Sequence, residues 1–206
     1  MKLSYNHFNN YGYMVADVPS NLLNELNILI HEKELKKYNI DLAGNIKKEF
    51  SLPKAIPIFE DYLLHLSKIY DDKFNYMSSI AVCTNSVPFV LNNMWVNFQK
   101  KYEFNPIHKH VGVYSFVIWV KIPYSIEEEE EKSPGKDSNS NLAGCFQFQF
   151  SNILGEQSTS TLRVDKTWQG KLCFFPAQLH HCVYPFYSSD EERITVSGNI
   201  SLNTRP

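Results

Sequence analysis

The stretch "FNPIHKHVGVYSFVIWVKIP", residues 104–123, decides how this chain is read. His108 and His110 stand two apart, just ahead of a run in which nearly every residue is apolar. Side chains alternate across a strand, so positions two apart point the same way and both imidazoles share one space. The run that follows can only be buried, which places the histidines at the edge of a core. With 7 histidines in the chain, one H-x-H pair is a weak motif by itself, and the surroundings have to supply the rest.

On either side of this stretch the periodicity is that of strands. From about residue 76 onward, YMSSIAVC, FVLNNMWVNFQ, VYSFVIWVKI, CFQFQFSN, STLRV, KLCFFPA and RITVSGNI read as short strands, with Gly, Pro, Asn and Ser between most of them. Upstream the period is helical. After Pro19-Ser20, the residues Leu22, Leu23, Leu26, Leu29 and Ile30 form a stripe in a segment running to about Lys37. A second stripe, Phe59, Tyr62, Leu63, Leu66, Ile69 and Tyr70, follows Pro57. Between them "LAGNIKKEFSLP" reads as an ordered connection with a turn at Gly44-Asn45. Helices followed by seven or more strands predict an α+β domain: a sandwich or barrel with helices packed on one sheet. The segment 125–141, "SIEEEEEKSPGKDSNSN", reads as a flexible, solvated acidic loop interrupting the strands.

Whole-chain features bound the function. With 206 residues and 43% hydrophobic content, a single domain covering 1–206 has enough apolar side chains for one sizeable core, with a helical part over 1–75 and strands over 76–206. A net charge of −2 supplies no basic field for nucleic acid or a membrane surface. Four cysteines, Cys83, Cys145, Cys173 and Cys182, at irregular spacings argue against a disulfide framework or a cysteine zinc site and fit a reducing cytoplasm. There is no apolar signal segment at the N-terminus and no run approaching the roughly 20 apolar residues of a membrane span. A cytoplasmic location is expected.

Three stretches carry chemistry: His108-Lys109-His110, then "FFPAQLHHCVYPF", then "ERITVSGN". His180 and His181 alternate faces, so only one of them can join a site. In the third stretch Arg193, Thr195 and Ser197 share one face, with Ile194 and Val196 on the other. An arginine aimed into a protein interior is costly unless it meets an anion, so Arg193 calls for a carboxylate or phosphate.

This order of residues resembles the iron(II)- and 2-oxoglutarate-dependent dioxygenases, whose pattern is H-x-D/E, a distal His, and an Arg about a dozen residues later in R-x-S. Here His108-x-His110, His181 and Arg193-x-Thr195 fall in that order, with a spacing of 12 from His181 to Arg193. The local text is similar to prolyl-hydroxylase-like members, particularly a group common in marine bacteriophages. Aligning "F-P-A-x-L-x-H-x-V-x-P" selects His181 over His180. The resemblance implies a double-stranded β-helix and Fe(II) held by His108, His110 and His181. It further implies that 2-oxoglutarate is bound through Arg193 and Thr195, and that O2 is used to hydroxylate a peptidyl or small-molecule substrate with release of succinate. His110 stands where the family usually has Asp or Glu. An all-histidine set still suits iron, as in cupin dioxygenases, but raises the site's charge by about one unit.

Other residues are read more weakly. Asn97 and Gln99 alternate with Asn93 and Trp95 and could line the pocket, with Asn97 and Tyr102 within reach of the keto acid. Trp119 and Lys121 share a face in a regular strand, so Lys121 could take the role given to Arg193. Gln147 and Gln149 make one face of their strand polar and could also face the pocket; Cys182 falls on the face opposite His181 and reads as core. Two other classes stay open: a three-histidine, cupin-like metalloprotein that uses no keto acid, and a non-catalytic β-sandwich of a phage structural or binding protein.

Overall fold

The computed structural model describes residues 3–4, 10–80 and 87–203. Among the described residues ten strands form two antiparallel sheets. The larger has six strands in the order β1 (Met14–Asp17), β8 (Lys171–Pro176), β5 (Tyr114–Lys121), β10 (Arg193–Leu202), β3 (Phe89–Gln99) and β2 (Lys48–Ser51). The smaller has four: β4 (Asn105–His108), β9 (His180–Val183), β6 (Phe146–Ser151) and β7 (Gln157–Leu162). Facing each other, they make the double-stranded β-helix that the sequence predicts.

Strand alternation divides the apolar residues between two cores. On one face of the larger sheet Met94, Val96, Phe116, Ile118, Phe174 and Val196 meet the helices α1 (Ser20–Leu29) and α2 (Ile56–Phe74). The stripe of α2 does this docking: Phe59, Leu63, Leu66 and Tyr70 are all buried, at the spacing that keeps them on one side of a helix. The helix stops at Asn75, whose left-handed backbone (φ 49°) is a common helix terminus. Residues of the opposite face, Val117, Trp119, Cys173 and Phe175, pack between the sheets against Phe146 and Phe148. Gly198 permits the closest approach within the larger sheet, since a Cβ there would fall 2.5 Å from Asn93 O and 2.6 Å from the Phe116 ring.

Three expectations are corrected. Helix α1 ends at Leu29 rather than near Lys37, because residues 36–38 are claimed by sheet pairing: Ser51 N donates to Lys36 O and Tyr38 N to Glu49 O, both at 2.9 Å. The connection read at residues 42–53 contains strand β2 itself. The segment 125–141 is not a flexible loop, since it begins with helix α3 (Ile126–Lys132). Ser125 and Glu128 form a capping box, each side chain accepting from the other's backbone N–H, and this fixes the first turn. Glu129, fully buried, accepts from Tyr187 N at 2.7 Å and Ser188 N at 2.9 Å, and also from the Ser188 hydroxyl. The acidic run is thus held from both ends by hydrogen bonds that composition does not reveal. Part of the strand read at 76–83 lies outside the described residues, as does Cys83; Met77–Ser79 form a short 3-10 turn. Cys145, Cys173 and Cys182 are free thiols, and among the described residues no helix is long and apolar enough to cross a membrane.

Candidate metal centre and co-substrate cavity

The two sheets enclose a cavity whose wall includes His108, His110, His181, Asn97, Arg193 and Thr195. His108 on β4 and His181 on β9 are direct cross-strand partners, and their ring centroids lie 4.3 Å apart. His110 sits just beyond β4, not in it. Its backbone N–H donates to Ala177 O at 2.8 Å, and Gln178 Nε2 donates to its carbonyl at 3.2 Å, so the turn after β8 aims the ring. The His110 centroid is 5.0 Å from each of the other two rings, and one ligand-capable nitrogen from each ring lies within 4.8 Å of the others. His180 points away from this group and is exposed.

The protonation pattern suits a metal. Nδ1 of His108 lies 2.7 Å from Pro106 O, and Nδ1 of His181 lies 2.9 Å from Leu179 O. A carbonyl oxygen only accepts, so each Nδ1 carries the proton and each Nε2 keeps a free lone pair. Burial pushes all three imidazoles below their ordinary pKa: His108 is lowered, His110 comes down to about 4 with a contribution from His108, and His181 falls well below the usual range. Near neutral pH the trio is uncharged. Three neutral imidazoles with converging lone pairs fit a divalent transition metal such as Fe(II).

Arg193 starts β10 in register with Gln99 and is 1% exposed. Its guanidinium donates to Gln99 Oε1 from Nε (3.2 Å) and Nη2 (2.7 Å), to Gly144 O (2.8 Å) and the Tyr124 hydroxyl from Nη1, and to Tyr184 O (3.2 Å) from Nη2. Every one of these acceptors is neutral. The charge is therefore hydrogen-bonded but has no counter-ion among the described residues, an arrangement that could accept an anion. Gly144, at φ +71°, accepts from the Tyr124 hydroxyl at 3.0 Å, and a Cβ there would lie 2.8 Å from a carbon of the Tyr124 ring. Thr195 accepts from Asn97 Nδ2 at 3.4 Å, in the next row of the same inner face.

The weaker readings divide. Asn97, Gln99, Trp95 and Trp119 are on the cavity wall. Tyr102 is not: at φ +70° in the turn between β3 and β4, it is 62% exposed and packs on Tyr187. Lys121 is turned away by a bulge. Thr195 pairs with Trp119 but Ile194 with Lys121, so Val120 is an extra residue that moves Lys121 to the other face, where it pairs with Glu191 at 2.5 Å. On β6 the inner face belongs to Phe146 and Phe148. Gln147 and Gln149 lie on the outer one, with Gln147 bonded to Thr161 and Tyr184. Cys182 shares that outer side with Gln149.

Two cavity residues carry no motif. Glu49, on β2, is 1% exposed, and burial raises its carboxyl to about 7, against a hydrogen bond from Asn39 and with a further push from Glu103. Asn105 reaches the wall because β4 has an extra residue opposite β9, Asn105 pairing with Val183 and His108 with His181. Pro106, which lacks an N–H, is the one sequence sign of that bulge.

Residues 93–199, just over half of the chain, match a family described as "Putative 2OG-Fe(II) oxygenase". The chain belongs to this family of oxygenases that use iron(II) and 2-oxoglutarate. Among solved structures, a prolyl-4-hydroxylase of Pseudomonas putida aligns with a TM-score of 0.54 at 13% identity, over 94% of both chains. HygX of Streptomyces hygroscopicus, with nickel, 2-oxoglutarate and hygromycin B bound, aligns at 0.53 and 11% identity, over 94% of this chain and 84% of that one. A 2OG-Fe(II) oxygenase family oxidoreductase of Burkholderia pseudomallei aligns at 0.52 and 12% identity, over 92% and 84%. At such identities the likeness is one of fold. No curated protein matches the chain.

Proposed function

We propose that this family member is a working dioxygenase that hydroxylates a peptidyl, prolyl-type or small-molecule substrate in the cytoplasm, the host's if the chain is phage-encoded. One observation carries the reading: three neutral imidazoles converge in the same cavity that buries Arg193 without a counter-ion. In this reading His108, His110 and His181 hold Fe(II), and Arg193 receives the distal carboxylate of 2-oxoglutarate, exchanging neutral acceptors for a charged one that its planar fork can bind through two N–H groups. Thr195 adds a hydroxyl, and Asn97 orients that hydroxyl. Bound iron supplies activation of O2, coupled to conversion of 2-oxoglutarate to succinate. The chain's part is to orient the co-substrate and to keep water out with Trp95, Trp119, Phe146 and Phe175.

Anaerobic addition of Fe(II) and 2-oxoglutarate tests this. A weak visible charge-transfer band is expected, because it arises when the keto acid chelates iron. Arg193→Ala should weaken 2-oxoglutarate binding at least about tenfold while leaving metal affinity unchanged. Bound metal without the band, or undiminished 2-oxoglutarate affinity in the variant, would overturn the assignment.

A further inference from the structure

Three acceptors on the cavity wall are left unused by the reading above: the Glu49 carboxylate, Asn105 Oδ1 and Asn97 Oδ1, the amide nitrogen of Asn97 alone being turned to Thr195. Glu49 is the direct cross-strand partner of Asn97, so its carboxylate extends the inner row that runs through Asn97 and Thr195. Glu49 Oε1 and Asn105 Oδ1 converge on one point: a Cβ added to Gly44 would lie 2.5 Å from the first and 2.6 Å from the second. A side chain at position 44 would therefore press on both oxygens. Asn105 Oδ1 has no hydrogen-bond partner, and neither has Oδ1 of Asn97, which is 5% exposed and directs its Nδ2 at Thr195.

An unpartnered buried carbonyl oxygen costs roughly 1–3 kcal/mol, and two of them beside a buried carboxylate call for a ligand that donates. Ionised 2-oxoglutarate cannot be that ligand, because all its oxygens are acceptors. Arg193, the one Lys or Arg side chain lining the cavity among the described residues, is taken in that reading by the 2-oxoglutarate carboxylate. A donor that arrives with the primary substrate would satisfy both asparagine oxygens.

We propose that Glu49, Asn97 and Asn105 form the recognition subsite for the primary substrate and that this subsite takes a cationic nitrogen group, an alkylammonium or guanidinium. The inference rests on the dioxygenase reading in one respect, the identity of the acceptor-only co-substrate. A cation beside Glu49 would add a charged partner to the carboxylate, whose hydrogen bond from Asn39 is to a neutral amide, and the carbonyl oxygens of the two asparagines would take its remaining N–H groups. The preferred substrate is then a compound bearing such a group, free or on a peptide side chain, with the oxidised carbon held a fixed distance from the nitrogen.

The test uses the full chain, labelled with nitrogen-15 and free of metal, titrated at pH 8 with n-butylammonium, n-butylguanidinium and, as the neutral control, 1-butanol. The cations should move the side-chain amide signals of Asn97 and Asn105 and bind at least about tenfold more tightly than the alcohol. Glu49→Gln should abolish that preference. Gly44→Ala, whose methyl would push Glu49 Oε1 and Asn105 Oδ1 out of place, should do the same and serves if Glu49→Gln fails to fold. A blocked tripeptide centred on lysine, compared with one centred on norleucine, distinguishes a peptide-borne cation from a free one. Equal affinity for cation and alcohol, no response to the cations, or a preference intact in both variants would overturn the proposal. Metal and 2-oxoglutarate uptake are followed separately, so their failure with the cation preference retained would count against the dioxygenase reading and not against this subsite.

Discussion

His110 is the residue on which the chemistry of this centre turns. In the proposed centre an imidazole there leaves the ligand set without the negative charge that a carboxylate would bring, so a dication would be held by neutral donors alone. The protein compensates by keeping the donors deprotonated. With His110 lowered to about 4 by burial, and His108 and His181 also lowered, protons compete poorly for these nitrogens. Metal uptake is therefore expected to stay nearly constant from pH 8 down to about 6, below which an unperturbed histidine site would already be failing. It should fall off only at lower pH, as the lowered imidazoles begin to protonate. Equilibrium dialysis against Co(II) or Zn(II) across that range would show it, and a half-loss near pH 6.5 would contradict it. His181→Ala should reduce uptake at least about a hundredfold, because it removes one of three ligands and leaves a void in a packed wall.

At the same scale, legibility followed chemistry. His108, His181 and Arg193 could be picked out because their residue types and spacing carry a recognisable pattern. Nothing in "KKEFS" sets Glu49 apart from any solvent-facing glutamate, and its burial comes from tertiary pairing with β3. Tyr102 was misleading for a related reason. One left-handed backbone angle in a tight turn sends its ring outward, and that angle is invisible in the letters.

At the scale of elements, bulges decided what the alternation rule could not. Regular strands were readable as far as their registers held, which is why the inner rows of β3 and β10 were anticipated. The extra residues at Val120 and near Pro106 redirected Lys121 outward and Asn105 inward. Helix α3 shows the opposite case, since its signal was present in "SIEE" but was masked by the charge of the run. Ser125→Ala should cost about 1 kcal/mol by removing the cap. Glu129→Ala should cost more, on the order of 3 kcal/mol, because two backbone N–H groups at Tyr187 and Ser188 lose their buried acceptor. Urea denaturation of the two variants would check the order; equal losses would show that the clasp onto residues 187–188 contributes nothing.

For the whole molecule, Glu49 links the cavity to global stability. Its carboxyl titrates at about 7 in the folded chain, against 4.5 ordinarily, so the native state binds this proton more tightly than the unfolded state does. The contribution is fully present below about pH 4.5 and is lost as pH rises through about 7. It amounts to on the order of 3 kcal/mol at most. Comparing Glu49→Gln with the parent chain by denaturation at pH 5 and pH 8 should show the variant gaining relative stability at the higher pH. An unchanged difference between the two would mean that the carboxyl is not the source.

Strand β4 is only four residues long, lies at the rim of the smaller sheet and is hydrogen-bonded on one side alone, to β9. Because His108 and His181 face each other across that single seam, an ion gripped by both would act as a rivet through it. Demetallation would then do more than stop turnover: it would let the rim fray, and Asn105, at the far end of β4, would drift with it. Faster amide exchange at Ile107 and His108 in the stripped protein, set against an unaltered interior of β10, is the signature that such riveting would leave.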